Sequence, residues 1–172
     1  MNRDRLAVVL CLLCLVPLAG AGSAPAENAG AAFAPFKSLT GDWEAKGPMG
    51  ISRVHYEIVA GGSVVLERFT SDELPKGSDM ITAYHLDGDR LVLTHYCMAG
   101  NQPRMRARDF DPATGIVQFD FAGAGNLAPP AAGHMHSAKF HFVDAAHFTT
   151  EWQFVENGKP KFTETAKYTR LH

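Results

Sequence analysis

Cysteine is scarce in this chain, with three among 172 residues. Two of them, Cys11 and Cys14, fall in an N-terminal segment expected to be removed. Cys97 then stands alone, so no disulfide within the chain can brace the fold. It is a buried hydrophobe, a metal ligand or a reactive thiol. Blocks of like charge are also missing, and the formal net charge is only −2. That speaks against a nucleic-acid partner, which would favour a basic face. No apolar run reaches the roughly 20 residues of a membrane-spanning helix. The Gly-x-Ser-x-Gly elbow, the His-Glu-x-x-His pair and a phosphate-cradling glycine loop are all lacking. The chain is therefore expected to be a binding protein rather than an enzyme. Beyond Leu39 no window shows a sustained apolar stripe at helical spacing, which excludes a helical bundle.

What is present begins with a processing signal. Arg3 and Arg5 precede an apolar run from Leu6 to Leu18, followed by small residues from Ala19 to Ala26. Charge, length and flank match a signal peptide over residues 1–26, with small-x-small cleavage sites ending at Ala21, Ala24 or Ala26. Leu10 and Leu13 stand before the two cysteines, where lipidation needs a small residue. The mature protein is thus expected to be periplasmic or extracellular, without a transmembrane segment. Residues 27–35, rich in Ala and Gly, are expected as a flexible leader. Ala32–Leu39 could add one helical turn or a lid.

The remaining residues, 36–172, read as one domain of about ten strands separated by turn signals. Val54, Tyr56 and Ile58 alternate with Arg53, His55 and Glu57. Gly61-Gly62, Asp87-Gly88 and Asn157-Gly158 are hairpin signals. A long meander must hide its edges, and a closed antiparallel up-and-down β-barrel does so most simply.

Phe36-Lys37-Ser38-Leu39-Thr40-Gly41-Asp42-Trp43 resembles the Gly-x-Trp entry strand of lipocalin-like barrels, the calycin group. That resemblance implies a tryptophan plugging one barrel end under a basic side chain from the last strand, here Trp43 under Arg170. The wider pattern, with LTHYCMAGNQPRM, the Asn126 loop and GHMHS, is similar to secreted bacterial lipocalin-like proteins of unknown function. The opening motif is also shared with nitrobindin-type haem barrels. That second likeness is the weaker of the two and assigns no haem-ligating histidine in this chain.

Two short patterns could carry chemistry. His134 and His136 lie two apart on an extended segment and share a face with Ala138, Phe140 and Phe142. His95 and Cys97 continue the face of Leu91 and Leu93. Both pairs are expected to look inward near a strand end. Three imidazoles and a thiolate could hold zinc or copper; the alternative is histidines hydrogen-bonded in a polar pocket. Asn101, Gln102, Arg104 and Asn126 add amides and a guanidinium fork. Either Arg104 joins the pocket mouth, or it belongs with Arg106 and Arg108 to a solvated stripe. Asn101 and Asn126 could equally serve turn geometry.

These observations lead to an exported barrel that binds a small, largely apolar ligand in a pocket lined by His95, Cys97, Gln102, Arg104, Asn126, His134 and His136. The alternative is a zinc- or copper-binding protein, or a metal-dependent enzyme, using His95, Cys97, His134 and His136.

Overall fold

The computed structural model describes residues 26–47, 50–127 and 132–172. The expected signal peptide lies outside them except for Ala26. A helix, α1 (Ala26–Ser38), precedes ten strands. These are β1 (Gly41–Gly47), β2 (Gly50–Val59), β3 (Val64–Ser71), β4 (Met80–Asp87), β5 (Arg90–Tyr96), β6 (Gln102–Asp111), β7 (Ile116–Gly125), β8 (His134–Asp144), β9 (His147–Glu156) and β10 (Lys159–Arg170). Each strand pairs antiparallel with its sequence neighbours, and β1 pairs with β10 to close the barrel. Closure leaves the sheet without a free lateral edge strand, which is the expected solution for a meander.

Period-two alternation builds the interior. Val54 and Tyr56, Tyr84 and Thr82, Leu91, Leu93 and His95, Val117 and Phe119, Ala138 and Phe140, and Phe148 and Thr150 are all buried. Their neighbours along each strand are more exposed. No helix of the described residues is long and apolar enough to cross a membrane.

The segment expected as a flexible leader is helical instead. Ala29, Ala32, Phe33 and Phe36 are buried, and their spacing of i, i+3, i+4 and i+7 is one face of a helix. Pro35 sits inside the last turns, and Lys37 follows it near the C-terminus. The Lys37 ammonium lies 4.9 Å over the Phe33 ring and also suits the negative end of the helix dipole. Phe36 is fully buried. It stacks on Tyr84 at 4.6 Å and meets Phe140 and Phe142 edge-on at 5.0 and 5.1 Å. The helix therefore stoppers one end of the barrel with an aromatic side chain.

Trp43 and Arg170 meet as the resemblance implies. They are register partners across the β1–β10 seam, and the guanidinium lies 4.0 Å from the indole centre. Arg170 also donates to the carbonyls of Ser38, Thr40 and Ala145 at 2.7, 2.7 and 3.0 Å. Trp43 Nε1 donates to Leu39 O at 2.6 Å. One arginine thus ties the helix exit, the first strand and the β8–β9 turn together.

Candidate functional site

Because α1, Trp43 and the Phe36 cluster fill one end, open space is left toward the other. There the β5–β6 turn, the end of β7, the start of β8 and the β9–β10 hairpin gather. The cavity in this half holds about 30 Å³. Val54, Phe69, Met80, Met135 and Trp152 give it apolar walls. Its polar lining comes from Tyr56, Glu67, His95, Thr150, Glu164 and Tyr168.

A buried hydrogen-bond chain forms one side. Glu67 lies on the inward face of β3, two residues after Val65, and is 5% exposed. Tyr56 and Tyr84 both donate to its Oε2, at 2.7 and 2.6 Å. Thr82 Oγ1 lies 3.5 Å from Oε1 and 3.0 Å from His95 Nδ1. Burial raises the Glu67 pKa, and the hydroxyls of Tyr84, Tyr56 and Thr82 oppose that rise by stabilising the anion. The two tyrosine contacts have the length of charge-assisted O–H···O⁻ bonds. The tyrosines are themselves pushed well above the ordinary phenol value, first by burial and then by the Glu67 charge.

His95 ends the chain. Burial lowers its pKa to about 4, so the ring is neutral at pH 7. Its Nδ1 faces Thr82, its ring packs 5.1 Å from Trp152, and its buried Nε2 has no hydrogen-bond partner. Across the same cavity stands Glu164, half-buried on β10, its carboxyl pKa raised by burial.

The other expected residues gather at the same barrel end but in different roles. His134 Nδ1 lies 3.0 Å from the Ala132 carbonyl, and its Nε2 lies 3.1 Å from His136 Nδ1. A carbonyl only accepts, so His134 carries its proton on Nδ1 and takes one from His136 at Nε2. Both rings pack on Phe121, at 4.6 and 4.9 Å. Burial and then His134 lower the His136 pKa, while Asp120 raises it.

The two histidines stay together, but a register shift between Met135 and Ser137 in the β8–β9 pairing takes them off the inward face of Ala138 and Phe140. The extra residue lets Met135, not a histidine, line the cavity. Cys97 lies just past β5, half-buried, where its backbone N–H donates to Asn101 O at 3.1 Å. Burial raises its thiol pKa, so it is not an activated nucleophile. Among the described residues, no three or more His, Cys, Asp or Glu side chains are placed to hold a metal ion. The zinc or copper site expected from His95, Cys97, His134 and His136 is therefore not assembled. His95 is taken into the Glu67 chain, and the later pair is turned onto Phe121.

Arg104 lies exposed on the outer face of β6, because the inward position belongs to its neighbour Met105. It lines a surface recess with Arg106 and His85, not the cavity. Gln102 Nε2 donates to Gly100 O at 3.3 Å, and Asn126 Nδ2 donates to the same carbonyl at 2.6 Å. Asn126 has φ of 50°, a left-handed turn position. Asn101 is buried and donates to Gly133 O at 2.9 Å, pinning the approach to β8. These amides shape the loops around the opening and do not reach the cavity wall.

Glu67 is the residue that reasoning from the sequence missed. Its signal was parity: it shares the face of Val65 and Phe69 in an otherwise apolar series. No protein family and no curated protein matches the chain.

Proposed function

We propose that this protein is an exported, lipocalin-like barrel of the calycin type that binds one compact, largely apolar molecule in the cavity beside His95. The observation that carries the reading is the His95 Nε2 atom. It is a buried polar atom without a partner, set in an apolar recess at the unstoppered end of the barrel. An unmet buried polar group costs about 1–3 kcal/mol, and a ligand that meets it recovers that cost. Apolar walls with a few fixed polar groups are the usual form of a small-molecule pocket.

Size limits the class. A cavity of about 30 Å³ is far below the roughly 300–1,000 Å³ of pockets for drug-sized ligands. Met80 and Met135 line it, and unbranched thioether side chains re-pack readily around an incoming ring. A cavity that binds benzene is about 150 Å³, so a one-ring molecule enters only as these side chains move aside, and a fatty acid or a tetrapyrrole is too large.

Native mass spectrometry of protein purified without denaturant tests this, together with a thermal-shift screen of one-ring aromatic compounds. A 1:1 adduct or a saturable stabilisation is expected, and either should vanish in His95→Phe. Absence of both in the wild type would refute the binding reading. Export is tested separately, by cell fractionation and N-terminal sequencing of the mature chain, which should begin shortly before or within α1.

A further inference from the structure

We propose that Glu67, acting through Thr82, holds His95 with its proton on Nδ1, so that the cavity presents a bare nitrogen and takes a flat aromatic ligand carrying a hydrogen-bond donor, such as a phenol. The ligand half rests on the cavity being a binding site; the proton arrangement does not.

The derivation is a count of protons and lone pairs. Both tyrosine hydroxyls point at Glu67 Oε2. Thr82 has one hydroxyl proton and two neighbours that could take it, Glu67 Oε1 and His95 Nδ1. Two hydroxyls donating to one oxygen at 2.7 and 2.6 Å are the partners of a carboxylate, which only accepts, and the Thr82 proton points to its Oε1. Thr82 Oγ1 then has lone pairs, not a proton, toward His95, and only an Nδ1–H completes that contact. A neutral imidazole has one N–H. Nε2 is therefore bare, and it is the buried, unpartnered atom of a ring that lines the cavity. The other polar groups lining the space are Tyr56, Thr150, Glu164 and Tyr168, and none of them meets Nε2.

The rest of the cavity sets the ligand's body. Trp152 packs 5.1 Å from the imidazole, and both rings line the same space. The two methionine thioethers offer favourable contacts to the edge of a ring. A planar ring seated beside this packed pair and against the thioethers, with its donor toward His95, uses these features of the recess.

Glu67→Gln should reverse the polarity. The two tyrosines keep the amide oxygen in the Oε2 position, which places the amide NH₂ against Thr82. Thr82 then donates to Nδ1, and His95 must carry its proton on Nε2. Thr82→Val should do the same by a different route, because it leaves Nδ1 without an acceptor.

The test has two arms. Long-range ¹H–¹⁵N correlation spectra of histidine-labelled protein read the tautomer without any ligand, with His95 assigned by its loss in His95→Gln. Wild type should show a bare Nε2, and Glu67→Gln and Thr82→Val a protonated one. Titration with phenol and toluene, nearly equal in shape but differing in the hydroxyl donor, reads selectivity. Phenol should bind wild type about tenfold tighter, the worth of one buried hydrogen bond. The ratio should fall toward one in the variants. A protonated Nε2 in wild type overturns the relay. A bare Nε2 with toluene bound as well as phenol overturns the ligand class. A bare Nε2 with neither probe bound defeats the binding reading and the ligand class with it, and leaves the proton arrangement standing.

Discussion

Replacing Glu67 by leucine should expose how much the barrel depends on this carboxylate. The substitution keeps an apolar side chain of similar bulk at a 5% exposed position, so cavity formation is a minor term. Its main effect is on the groups left behind. Tyr56 and Tyr84 lose their shared acceptor deep in the core, while Thr82 can turn to His95 Nδ1. Each orphaned buried hydroxyl costs about 1–3 kcal/mol, and losing one member of a buried charged cluster about 3–5 kcal/mol in all. Part is returned because no anion needs burying. The net expected loss is about 2–5 kcal/mol. Urea unfolding followed by tryptophan fluorescence measures it. The triple variant E67L/Y56F/Y84F, which removes donors and acceptor together, should lie within about 1 kcal/mol of wild type. The reasoning is refuted if E67L costs under about 1 kcal/mol, or if the tyrosine substitutions fail to rescue it.

Phe36→Ala should cost about 3–5 kcal/mol, since a fully buried ring with stacked and edge contacts to Tyr84, Phe140 and Phe142 is lost; a loss under about 1 kcal/mol in thermal unfolding would mean that α1 does not stopper the barrel. Arg170→Ala should cost about 2–4 kcal/mol from three backbone bonds and the indole contact. Arg170→Lys should recover only a minority of it, because an ammonium cannot reproduce the planar fork; equal stability of the two variants by urea unfolding would contradict this. His95 gives a pH signature. Its folded pKa, about 4 against an ordinary 6.5, means that the unfolded chain binds more protons between those values. Its contribution is thus fully present above pH 6.5 and is lost as pH falls toward 4, about 3 kcal/mol in all. Glu67, shifted upward by burial, works in the opposite sense, losing stability as pH rises past 4.5. The difference in unfolding free energy between wild type and His95→Phe, followed from pH 7 to pH 4, isolates the histidine, and a flat difference would refute its buried neutral state.

The barrel was legible because alternation and turn residues are local. Val54 and Tyr56, Leu91 and Leu93, and Phe140 declare their face within a few residues, and Gly61-Gly62 and Asn157-Gly158 mark the hairpins where the strands do turn. Trp43 and Arg170 could be paired across the chain because the seam of a closed meander joins its first strand to its last. The helix was hidden by composition. Ala and Gly around Phe33, followed by Pro35, read as a leader, yet Ala29, Ala32, Phe33 and Phe36 carry helical spacing, and only the barrel end they dock on makes it count. His95 was expected inward and is. Its partners were not legible, because Thr82 and Glu67 reach it across neighbouring strands through registers that sequence does not state. The later histidines were misread for a physical reason: one extra residue at the β8–β9 register shift moves every side chain before it out of the assumed alternation.

The cost of this interior is itself informative. An apolar side chain at position 67, with phenylalanines opposite, would fill the same space at similar stability, since buried charges are weak stabilisers compared with well-packed apolar groups. Burial raises the Glu67 pKa against the pull of its hydroxyl partners, so the anion is held there at an energetic disadvantage. Stability alone does not account for Glu67. What the carboxylate adds, and a leucine cannot, is direction. It aligns the hydroxyl of Thr82, and through it decides which nitrogen of His95 is bare. At the stoppered end Trp43 packs on Phe148 and under Arg170 without a buried carboxylate beside it, so the fold closes there on aromatic contacts and the Arg170 bonds. The polar chain runs from Tyr84, under the Phe36 stopper, toward the cavity, and it terminates at His95, which lines that cavity and whose Nε2 is unmet. Placement and polarity therefore point to the contents of the recess, not to the integrity of the barrel, as what the Glu67 chain serves.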